Sequence, residues 1–146
     1  MSLAKCFRLI ATAVAILAQP ALACSFDISF DSKFEPDADR LPASEVRRLA
    51  EWMIDEPATF ENKKEFHIAL YEAPDIGIGH ALARKRVSHL ENLLTTFGVP
   101  VSMISTEIAP YRLGKSAESP DFAHINFMPG CPHPCCPGPQ PIERTQ

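Results

Sequence analysis

The stretch Glu65–Gly98, EFHIALYEAPDIGIGHALARKRVSHLENLLTTFG, decides the fold. Phe66, Ile68 and Leu70 alternate with His67, Ala69 and Tyr71, the period-two pattern of a half-buried strand. Ala83, Val87, Leu90, Leu94 and Phe97 follow at steps of four, three, four and three, which makes one apolar helical stripe closed by Gly98. Gly77 and Gly79 mark the turn into that helix, and Arg84, Lys85 and Arg86 occupy its early turns. Free backbone N–H groups at a helix start, with guanidinium groups close by, suit a carboxylate ligand. A binding site is therefore expected at this turn.

Outward from this unit, Ser25 to Ser32 reads as a first strand, with Phe26, Ile28 and Phe30 on one face. Lys33 to Arg40 is polar and holds Pro36, so it reads as a loop. Leu41 to Asp55 is helical: Val46, Leu49, Ala50 and Met53 share a face, and Pro42 and Pro57 bracket the segment. The lone Trp52 is expected to pack over the sheet. A third strand is expected from Val101 to about Ile108 and a fourth from Phe122 to Met128, with a long loop between them. The order β-α-β-α-β-β predicts an α/β (α+β) two-layer sandwich, with helices on one face of a mixed four-stranded sheet.

These elements resemble the OmpA C-terminal family, the peptidoglycan-associating domain of outer-membrane proteins, lipoproteins and flagellar stators. Leu82, Ala83, Arg84, Lys85, Arg86 and Val87 stand where that family has L-S-x-x-R-A, and Phe26 to Ser32 with Pro36 is similar to its F-x-F-D-S…P opening. The resemblance runs from about Ser25 to Met128. It implies non-covalent binding of the diaminopimelate of a peptidoglycan stem peptide, with Arg86 as the cation. A zwitterion also wants an acid for its ammonium. The family's Gly-x-x-Asp at the end of the second strand is replaced: Leu70 stands for the Gly, and the Asp falls near Ala73, between Glu72 and Asp75. Either acid could serve. Gly79 and His80, at the helix start, would edge the site. The family's later Asn-Arg-Arg is replaced by Pro120-Asp121-Phe122-Ala123-His124. The alternative is a degenerate structural or protein-interaction domain without a wall ligand.

The N-terminus reads as a leader. Lys5 and Arg8 precede LIATAVAILAQPALA, and Ala21-Leu22-Ala23 is a small-x-small cleavage site, so residues 1–23 form a signal peptide and 24–130 the domain. The apolar run is short for a membrane span and is broken by Gln19 and Pro20. Nothing later in the chain is apolar for long enough to span. Cleavage would leave Cys24 first, which also fits a lipidated outer-membrane lipoprotein, although Ala-Leu-Ala suits the ordinary signal peptidase better. Either route leads to the periplasm or cell envelope. Loss of two leader cations moves the formal net charge of the 146-residue chain from −4 to −6. An acidic chain argues against nucleic acid as partner; peptidoglycan and envelope proteins remain.

Residues 131–146 form a Pro- and Cys-rich tail, GCPHPCCPGPQPIERTQ with its preceding Gly130, expected to be an exposed arm. Outside the leader the cysteines are Cys24, Cys131, Cys135 and Cys136, an even set for an oxidising compartment. A disulfide from Cys24 to the tail is one possible pairing. Cys131, His133, Cys135 and Cys136 are also close enough to wrap a soft metal ion; disulfide is the first reading, a flexible appendage the second, metal the third. His67, His89 and His124 have no partner placed for a triad, and no H-E-x-x-H or paired-acid motif occurs. Neither an enzyme nor a cofactor is expected.

Overall fold

The computed structural model describes residues 28–112, 114, 119–133 and 136. The leader, Cys24 and Cys135 lie outside these residues. The elements are β1 (Ile28–Lys33), α1 (Ala43–Asp55), β2 (Lys63–Glu72), α2 (His80–Thr96), β3 (Ile104–Pro110) and β4 (Phe122–Pro129). The sheet order is β1-β4-β2-β3. Strand β4 is antiparallel to both β1 and β2, and β3 runs parallel to β2. The expected mixed four-stranded sheet with two helices is the fold.

The core follows the period-two faces. Phe66, Ile68 and Leu70 of β2 stand opposite Phe127, Ile125 and Ala123 of β4, and all six are buried. The Phe66 and Phe127 rings lie 4.8 Å apart between centroids. Ala83, Val87, Leu90 and Leu94 of α2, with Leu49 of α1, cover this face. A fully buried Leu or Phe side chain contributes about 1.5–3 kcal/mol relative to exposure, so this cluster holds the two layers together. Trp52 lies 5.4 Å from Phe30, over the sheet as expected.

The ends of elements differ from expectation where backbone geometry intervenes. Val101–Met103 forms a 3₁₀ turn instead of strand, so β3 starts only at Ile104 and continues to Pro110. Helix α2 stops at Thr96, and Gly98 takes a left-handed φ of 92°. There the Gly98 and Val99 N–H groups donate to the Thr95 and Leu94 carbonyls at 3.0 Å each, a glycine stop of the usual kind. Among the described residues no helix is long and apolar enough to cross a membrane.

Candidate functional site

The turn between β2 and α2 is folded tightly on itself. Ala73 N–H donates to the Ile78 carbonyl at 2.7 Å, and Ile78 N–H returns to the Ala73 carbonyl at 3.0 Å. Pro74–Ile76 forms a 3₁₀ turn between them, and Gly77 closes it with φ 94°. Ile78 is buried while Asp75 faces solvent. Gly79 is the N-cap of α2 and accepts the Ala83 N–H at 3.1 Å through its carbonyl. The His80 Nδ1 sits 2.7 Å from Glu72 Oε2, so these two expected residues do come together.

Arg86 goes elsewhere. It lies three residues after Ala83 and four before Leu90, on the core face of α2, and it is the one charged residue buried among the described residues. Its Nε donates to the Ala38 carbonyl at 2.8 Å, and its Nη2 donates to the Glu35 carbonyl at 3.2 Å and to Asp121 Oδ1 at 3.0 Å. The guanidinium carbon lies 4.7 Å from the centre of the Phe34 ring, a cation–π contact. Its Nη1 is buried and has no hydrogen-bond partner. The expected pairing of Arg86 with Glu72 or Asp75 is thus replaced by pairing with Asp121.

The loop after β1 makes this possible. Phe34 N–H donates to the Asp121 carbonyl at 3.0 Å, docking the loop against the turn before β4. Asp37 takes a φ of 60°, and its Oδ1 lies 3.4 Å from where a Cβ on Gly77 would be. The loop therefore packs across the turn before α2 and closes over the guanidinium. Asp121, Phe34, Glu35 and Ala38 carry no marking motif in the sequence. The one readable signal was the spacing of Arg86 from Ala83 and Leu90, which sets its side chain on the inner face.

Arg84 and Lys85 are exposed, as expected for a solvated helix face. With Arg40, Ser88 and His89 they line a shallow groove of about 380 Å³ on the outer side of α2. Burial, with Arg40 close by, holds the His89 imidazole below its ordinary pKa of 6.5, against the opposing pull of Asp39. His89 Nε2 is buried and unpartnered, which agrees with a neutral ring. His67 bonds Ser105 at 2.9 Å, and His124 bonds Asp31 at 2.7 Å, both across neighbouring strands. The other ring nitrogen of His67, Nε2, lies 3.5 Å from Glu107 Oε2, so the pairing of β2 with β3 sets Ser105 and Glu107 on either side of the ring, an arrangement no local motif announces.

At the other end of the molecule, Cys131 and Cys136 are joined in a disulfide. This corrects the expectation of a Cys24-to-tail bridge for these two cysteines. The loop is fastened to the domain: Gly130 N–H donates to the Asn62 carbonyl at 2.8 Å, and Asn62 Nδ2 donates to the Cys131 carbonyl at 2.7 Å. A Cβ on Gly130 would come within 3.0 Å of the Asn62 Cβ, so glycine permits the approach. The described start of the tail is therefore a closed loop instead of an extended arm. Ligand atoms of Cys131, His133 and Cys136 lie within 4.8 Å of one another.

No family model matches the chain, and no curated protein matches it either. Among solved structures it is similar to the OmpA-like domain of FopA1 from Francisella tularensis subsp. tularensis SCHU S4. That likeness has a TM-score of 0.49 at 15% identity and covers 72% of this chain and 77% of that one.

Proposed function

We propose that this chain is an exported OmpA-like domain of the cell envelope that associates non-covalently with peptidoglycan. In this reading the zwitterionic centre of diaminopimelate is taken by Arg86 and Asp121, with Asp121 in the place first given to Glu72 or Asp75. The observation that carries it is the buried Arg86 Nη1 without a hydrogen-bond partner. Buried polar groups in folded proteins are nearly always satisfied, and an orphaned guanidinium N–H calls for an acceptor. A ligand carboxylate would supply one, as a charge-assisted bond about twice as strong as a neutral one. Asp121, with its side chain 17% exposed, could accept the ligand's ammonium. Binding requires the Glu35–Ala38 segment to lift, because its carbonyls now hold Nε and Nη2.

A second reading is favoured by the enclosure of that guanidinium, whose side chain is 1% exposed. Here Arg86 is an internal clamp, and the domain serves structure or protein contact without a wall ligand.

Sedimentation with purified peptidoglycan separates the two. Wall association predicts that the wild type pellets, that free diaminopimelate releases it, and that Asp121→Asn and Arg86→Lys weaken it while remaining folded. A wild type that stays in the supernatant leaves the clamp reading alone.

A further inference from the structure

We propose that the Cys131–Cys136 loop is a redox-gated site for a soft d¹⁰ metal ion, Cu(I) foremost, with Cys131, His133 and Cys136 as ligands. The disulfide form is closed to metal; the dithiol form binds.

Three observations converge on it. The ligand atoms of the three residues already lie within 4.8 Å of one another. Two sulfurs each ~2.3 Å from an ion stand about 3.5–4 Å apart, so on reduction the two bonded sulfurs must part to that spacing, with His133 already beside them. Next, His133 sits inside the ring and is held by the backbone. Its N–H donates to Cys136 Sγ at 3.2 Å, and Cys136 N–H donates to the His133 carbonyl at 2.9 Å. Finally, the loop is not a loose appendage, because Asn62 grips both Gly130 and Cys131. Pinning the loop at its base reduces the ordering cost of binding. Two thiolates and an imidazole form a soft donor set that selects Cu(I) or Zn(II) over harder ions.

The chemistry balances with a dithiol reductant. Its two thiols transfer two electrons and two protons to the Cys131–Cys136 bond, giving two protein thiols and the reductant's own disulfide. Metal binding then displaces the two thiol protons to solvent, and the imidazole adds its neutral lone pair.

The test uses the full chain, reduced or left oxidised, titrated with Cu(I) without oxygen against a chromophoric Cu(I) chelator, and with Zn(II) in parallel. The reduced wild type is expected to retain one ion per chain and the oxidised wild type none. Those two samples share one sequence, so the difference between them reports the oxidation state of the cysteines and no substitution. The double variant Cys131→Ser/Cys136→Ser should lose the ion, and His133→Ala should bind about tenfold or more weakly, which corresponds to about 1.4 kcal/mol. Cys135→Ser should bind as the wild type does. The proposal is overturned if the reduced chain retains neither ion, if the double variant loads as well as the wild type, or if Cys135→Ser alone abolishes loading.

Discussion

Helix α2 makes two side-chain contacts to carboxylates, from residues six apart in sequence, that live in different solvents. His80 and Glu72 meet at 2.7 Å with side chains 61% and 30% exposed, whereas Arg86 and Asp121 meet at 3.0 Å with side chains 1% and 17% exposed. The shorter contact is the weaker one. Water screens an exposed pair and leaves it worth about 0–1 kcal/mol. Breaking a buried pair by removing one partner costs roughly 3–5 kcal/mol, because the other charge is left stranded. Position on the helix decides this: residue 80 is its first, in solvent, while residue 86 falls on the stripe between Ala83 and Leu90.

The comparison can be broken most sharply at Arg86. Arg86→Ala should lower unfolding free energy by about 3–5 kcal/mol, since it strands Asp121 and frees the Glu35–Ala38 carbonyls. Urea denaturation measures it, and a loss below 1 kcal/mol would mean the guanidinium is not the tie described. Asp121→Asn should cost less, about 1–3 kcal/mol, because an amide oxygen can still accept from Nη2. In the double variant Arg86→Ala/Asp121→Asn the losses should fall short of the sum of the singles, as contacting residues do in a double-mutant cycle. Strict additivity would show that the two side chains do not interact.

Smaller effects sharpen the contrast. Gly77→Ala should cost roughly 1–2 kcal/mol from left-handed strain alone, and a change in its thermal midpoint no larger than that of an exposed loop substitution would refute the turn geometry. For His89, the folded-state pKa is depressed, chiefly by burial. Below the ordinary value of 6.5 the unfolded chain then binds more protons than the folded one, so stability falls as pH drops through that window and is unaffected above it. His89→Gln should flatten this part of the difference between denaturation midpoints measured above and below pH 6.5. An unchanged slope would count against a neutral buried ring. Last, Glu72→Gln should change stability by less than about 1 kcal/mol, and 1 M salt should erase the difference.

Much of the scaffold was legible in residue spacing. The alternation in Phe66, Ile68 and Leu70 gave β2 and its inner face, and the stripe from Ala83 to Leu94 gave α2, since both patterns reflect which side chains leave water. The strand Phe122–Pro129 was readable for the same reason. The start of β3 was not: Val101 suits a strand by composition, yet the chain leaving Pro100 makes a 3₁₀ turn first. The site was legible only in part. Glu72, Gly79 and His80 are close in sequence and do cluster at the helix start. Arg86 was singled out as a cation, but its partner Asp121 is 35 residues away and no local pattern links them.

What the sequence determined by itself was the order of elements and the faces they bury, because hydrophobic periodicity is a local property of the chain. Which acid meets Arg86, how the loop around Asp37 seals it, and that Cys131 joins Cys136 were decided only in three dimensions. Charges and thiols choose partners by distance and desolvation, and both are set once β1, β4 and α2 have packed.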